Sequence, residues 1–166
     1  MSTIRPLVLA IATLTIVGLS QRVDGVRLSE HSGESQSVPD GRTLEGTWRV
    51  EITLRNCLTG EPVQNPFPAL ASFARGGTVT TADGGLSPAV RSTGLGVWWR
   101  VDGAFAAVTE AFLFSGVVRT GTQRITQEII LTPDGDEFNA NVTSEIRDVN
   151  GNVVAPGCAT SIGRRL

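Results

Sequence analysis

The segment Ile125-Thr126-Gln127-Glu128-Ile129-Ile130-Leu131 runs into Thr132-Pro133-Asp134-Gly135-Asp136 and emerges as Glu137-Phe138-Asn139-Ala140-Asn141-Val142. Asp-Gly between two alternating runs is a strong short-range hairpin signal. A two-residue loop pairs the residues that flank it, and paired residues share a face. Leu131 then faces Phe138, Ile129 faces Ala140, and Gln127 faces Val142. The same arithmetic sends Glu128, Asn139 and Asn141 to the opposite side. Turn and alternation therefore agree on a hairpin with one apolar face and one polar face.

The same grammar extends in both directions. Trp48-Arg49-Val50-Glu51-Ile52-Thr53-Leu54-Arg55 alternates apolar and polar, as a half-buried strand does. Gly76-Gly77, Asp102-Gly103, Asn150-Gly151 and the weaker Ser115-Gly116 separate further strand-like runs. The predicted strands are 47–56, 69–75, 78–82, 96–102, 104–114, 117–132, 136–148 and 152–164, and no segment has a helical period. Carried through the turns, one face collects Trp99, Glu110, Phe112, Phe114, Arg119, Gln123, Gln127, Phe138, Ser144, Ala159 and Ser161. Eight antiparallel strands joined in sequence make an all-β, up-and-down meander. Left open, it would expose two long edges; closing it into a barrel removes both. A two-sheet sandwich is the alternative.

At 166 residues the chain has room for one domain, and 40% hydrophobic with 18% charged residues is a globular composition. All 14 basic residues are Arg, the net charge is -2, and no block of like charge occurs, which argues against a nucleic-acid partner. A single His, His31, and two Cys leave no His-based triad and no four-thiolate metal site. No metal or cofactor is expected; Gly94-Leu95-Gly96 precedes no helix and is not a phosphate loop.

Residues 1–20 read as a signal peptide. Arg5 supplies the positive start, Leu7 to Leu19 the apolar stretch, and Ser20 a small residue for cleavage. The expectation is a secreted or periplasmic protein, with no stable membrane insertion once the signal is removed. Polar residues 21–43, His31 among them, read as a flexible spacer, and 44–166 as the barrel.

Leu44-Glu45-Gly46-Thr47-Trp48, opening the first strand, resembles the G-x-W motif of lipocalins and the wider calycin group. In that family the Trp closes one end of an eight-stranded barrel, and an Arg near the end of the last strand packs across it. The resemblance assigns structural roles to Trp48 and, by parity with Gly163, to Arg165. The family's threonine-aspartate motif between middle strands is not evident, and the chain ends without its final helix.

In a closed barrel the first and last strands are neighbours. Cys57, after the first, and Cys158, on the last, are therefore expected to pair in an oxidising compartment. A redox role would need a C-x-x-C type site, and there is none.

The propagated face gives the candidate site. Trp99, Phe112, Phe114 and Phe138 would line an apolar cavity, with Glu110, Arg119, Gln123, Gln127 and Ser144 as its polar residues. Glu110 would stand beside Arg119 and Gln123 as a satisfied pair, a ligand handle or a general acid or base. The last strand offers only Gly, Ala and Ser inside. The loop 83–95 could cap a barrel mouth. Trp98, Phe105, Ala107, Ala111 and Leu113 would then make an apolar outer face, suited to a homodimer through Trp98 and Phe105.

Three functions fit: a binding protein for a small apolar molecule, a cofactor-free isomerase or cyclase acting through Glu110 on a barrel resembling allene oxide cyclases, or a structural domain with a filled core.

Overall fold

The computed structural model describes residues 42–166. The proposed signal peptide, His31 and almost all of the spacer lie outside the described residues. Eight strands follow one another: β1 (Gly46–Arg55), β2 (Phe67–Phe73), β3 (Thr78–Asp83), β4 (Gly94–Val101), β5 (Ala104–Ser115), β6 (Val118–Leu131), β7 (Glu137–Asp148) and β8 (Val153–Arg165). Each pairs antiparallel with the next, and β1 pairs with β8, closing the barrel. No edge is left to template aggregation. The fold is thus an all-β, up-and-down closed barrel rather than a sandwich.

The turns hold the register by different devices. Asp102 and Gly103 both take positive φ, 44° and 82°, as a type I′ turn demands. Around Asp134-Gly135 and Asn150-Gly151 only the glycine is left-handed, and the preceding loop is tied by side chains instead. Asp134 Oδ1 accepts from Thr132 Oγ1 at 2.6 Å; Asp148 Oδ1 accepts from the backbone N–H groups of Asn150 and Asn152, each at 2.9 Å. The expected pairing survives: Leu131 faces Phe138 and Val142 faces Ala159.

One turn does not hold it. The β5–β6 hairpin turns on Gly116-Val117, so that Ser115 pairs with Val118, and beyond the tip Phe114 pairs with Arg119 while Leu113 pairs with Gly121. Thr120 is the extra residue of a β-bulge. Two residues against one reverse the side-chain alternation from there on. Glu110 consequently opposes Arg124, not Gly121. The expected inner face is correct on β6 from Gly121 onward, on β7 and on β8, and inverted on β5 and, through the Asp102-Gly103 turn, on β4.

One end of the barrel is packed solid. Trp48, Phe73 and Phe138 are buried, with Trp48 and Phe138 ring centroids 5.0 Å apart. Trp98 meets Phe73 and Phe105 at 6.1 and 5.8 Å. Phe138 can lie against β8 because residue 163 is glycine; a Cβ there would stand 2.1 Å from its ring.

Arg165 closes this end. Its guanidinium carbon sits 4.3 Å from the Trp48 ring centroid, and its terminal nitrogens donate to the carbonyls of Thr43, Glu45 and Gly135. Trp48 Nε1 donates to Leu44 O at 3.0 Å. Gly46 has φ 126°, which favours glycine, and a Cβ there would stand 2.8 Å from Arg165 Nη1 and push the guanidinium aside. The Gly-x-Trp motif and Arg165 form one lock.

Cys57 and Cys158 form a disulfide with Cα atoms 5.2 Å apart. It ties the loop after β1 to β8 near the opposite end of the barrel, where Arg55 pairs with Cys158.

Candidate functional site

Toward that opposite end the interior is not filled. A cavity of about 220 Å³ lies between the sheet walls and the loops after β1 and β3. Its walls are mostly small or aliphatic, among them Ile52, Ala69, Ile125, Val142, Gly157 and Ala159. The same strands that carry large rings at the packed end carry Ala, Gly and Ser here. An apolar cavity of about 150 Å³ already admits benzene, so this one has room for roughly ten non-hydrogen atoms.

The bulge decides which of the expected residues reach it. Gln123, Gln127, Phe138 and Ser144 line the cavity, with Ala159 and Ser161 opposite. Trp99, Glu110 and Phe112 are exposed on the outside of the barrel. Arg119 stacks over the Phe112 ring at 5.9 Å, also on the exposed surface. Phe114 is half-buried beside the hairpin tip, its N–H bonded to Val90 O. No Glu110–Arg119–Gln123 cluster forms: Glu110 pairs across the ladder with Arg124, and Gln123 with Ala111.

The same inversion draws inward the residues expected outside. Phe105, Ala107 and Ala111 are buried and Trp98 is half-buried in the packed end, where its Nε1 donates to Ala74 O. The apolar outer face of β4 and β5 is made instead by Leu95, Val97, Trp99, Val101 and Phe112. Of the two residues expected to carry a dimer contact, Phe105 is buried and Trp98 is half-buried.

Several lining groups were not among the expected site residues, Arg55, Asp83, Arg91 and Thr109 among them. Arg91, in the loop after β3, is 5% exposed and turns into the cavity. Its Nε donates to Gln123 Oε1 at 2.8 Å, and its Nη1 stands 3.9 Å from Asp83 Oδ2. Burial pushes the guanidinium below its ordinary range, and Asp83 pulls it back up. The loop is held for this purpose by strand-like bonds: Ser92 N–H donates to Phe112 O, and Phe114 N–H to Val90 O. Thr109 and Ser161 also line the cavity, and the hydroxyl of each is buried without a hydrogen-bond partner among the described residues.

Compared with known proteins, the chain matches no family model and no curated protein. The geometry stands by itself: a closed eight-stranded antiparallel barrel, packed at one end and hollow toward the other.

Proposed function

We propose that the protein is an exported container for a small apolar or amphipathic molecule, of a lipocalin-like kind. The observation that carries this reading is the division of the interior. Larger side chains at Ala69, Ala71, Gly157 or Ala159 would fill the hollow half and would ordinarily stabilise the fold. Their absence keeps a chamber open that is apolar apart from a few polar groups, the usual character of a ligand site. The Trp48–Arg165 lock and the eight-strand meander support the resemblance to lipocalins. The disulfide is consistent with an oxidising compartment and, together with the reading of the N-terminal segment, supports secretion or a periplasmic location. Among the described residues no helix is long and apolar enough to cross a membrane. Catalysis through Glu110 inside the chamber has no geometry to support it, because that carboxylate is outside.

The test is calorimetric titration with 1-octanol. Trp99, exposed on the outer surface, is not a useful fluorescence reporter. Binding to the wild type that is lost in Ala159→Phe is the expected result. If 1-octanol does not bind, or binds Ala159→Phe equally well, the container reading fails.

A further inference from the structure

A guanidinium is expensive to bury, and five N–H donors are hard to satisfy. Arg91 is buried and incompletely satisfied. Only Nε makes a hydrogen bond among the described residues. Nη1 has Asp83 at 3.9 Å, within ion-pair range but too long for a hydrogen bond. Asp83 is itself engaged elsewhere, since its Oδ1 accepts from Gly85 N–H at 2.6 Å. Among the described residues Nη2 makes no hydrogen bond, and it has room because residue 94 is glycine. A Cβ there would lie 3.7 Å from Nη2 and 2.4 Å from Thr81 Oγ1.

Beside this edge lies a second unsatisfied donor. Thr109 is 1% exposed, its Oγ1 has no partner among the described residues, and its Cβ is 3.7 Å from that same Cβ position on Gly94. Two buried groups thus flank Gly94 in a mostly apolar chamber, each with N–H or O–H capacity left over.

From this we infer that Arg91 and Thr109 form a head-group site for a single carboxylate, and that the ligand is a small monocarboxylic acid with an apolar tail. The inference rests on the container reading and assigns the ligand's polar end. Guanidinium offers a carboxylate two parallel N–H bonds, a geometry that an alcohol or amide does not match. Arg91, already partly offset by Asp83, suits a single negative charge and not a phosphate dianion; Arg55, the other guanidinium on the lining, is committed to Thr160 Oγ1 and Gly60 O. The tail would lie along Ile125, Val142 and Ala159, where the lining is apolar. Gln123 is the positioning residue, holding Nε so that the Nη edge faces the chamber.

The experiment compares octanoate with 1-octanol, of equal chain length and without charge, on the wild type and on Arg91→Gln. Octanoate is expected to bind the wild type about ten- to a hundredfold more tightly, the range that a charge-assisted hydrogen bond supplies. Arg91→Gln should erase that preference while leaving 1-octanol binding in place. If 1-octanol binds the wild type as well as octanoate does, or if the preference survives in Arg91→Gln, the head-group site is overturned while the container stands. If neither probe binds, both fall. Should Arg91→Gln fail to fold, the wild-type Arg91 Nε–H resonance decides. A shift on adding octanoate that 1-octanol does not produce supports the site, and an unmoved resonance overturns it.

Discussion

Replacing Cys57 and Cys158 with serine tests how the barrel is kept closed. The two residues are 101 apart in sequence, so the disulfide restrains a loop that includes almost all of the barrel. Loop-closure entropy for about a hundred residues gives roughly 4.7 kcal/mol, supplied by restricting the unfolded chain. Domains of this size have a total stability of about 5–15 kcal/mol, so the loss is a large share. With an unfolding entropy of about 2.1 cal/mol/K per residue over the roughly 125 described residues, the midpoint should fall by about 15–20 °C. The native barrel should change little, because the β1–β8 ladder from Trp48–Arg165 to Arg55–Cys158 is independent of the sulfurs. The assay is thermal and urea unfolding of both proteins, followed by far- and near-ultraviolet circular dichroism. The double variant should show a lower midpoint and a larger m-value, since an unrestrained chain exposes more surface on unfolding. A loss below about 1 kcal/mol, or a loss with an unchanged m-value, would refute the argument that the bridge acts on the unfolded ends.

Three further outcomes follow from the geometry. Arg165→Met removes a guanidinium–indole contact and three hydrogen bonds to carbonyls, and should lower stability by about 2–3 kcal/mol; a double-mutant cycle with Trp48→Phe should show coupling, and strict additivity would separate the two halves of the lock. Hydrogen bonds from Asn152, first its side chain and then its backbone, hold the Asp148 carboxylate below its ordinary range. A lowered folded pKa contributes stability above the unfolded value of about 3.9 and loses it as pH falls through the folded value. Acid melts of Asp148→Asn should therefore be flatter than the wild type below about pH 4, and parallel acid limbs would contradict the assignment. Glu110→Gln, on the outside of the barrel, should alter stability by less than about 0.5 kcal/mol and leave 1-octanol binding unchanged; a calorimetric loss of binding would put Glu110 back in the chamber.

The parts of this barrel legible in the sequence are those where two independent signals meet. From β6 to β8 a turn dipeptide and a one-sided apolar pattern agree, and Gln123, Gln127, Phe138 and Ser144 reach the cavity from that reading alone. Across β4 and β5 only the turns speak, because both faces are apolar: Val97 and Trp99 on one side, Trp98, Phe105 and Ala107 on the other. With no contrast between faces, an error of one residue in register has nothing to correct it. That error is Thr120, which no turn rule or propensity marks as unpaired. Its consequence is large in chemical terms, for it removes Trp99, Glu110 and Phe112 from the chamber and brings Thr109 into it. Arg91 was hidden for a different reason. It lies in a loop, where periodicity assigns no face, and its partner Gln123 is 32 residues away. The legible signal was weaker but present: one arginine in the stretch Leu86-Ser87-Pro88-Ala89-Val90-Arg91, otherwise uncharged, between a strand ending in Asp83 and one opening with Gly94. A loop charge folded over the mouth of a mostly apolar barrel has few partners to reach except the interior ones, and Gln123 and Asp83 are the interior groups it reaches.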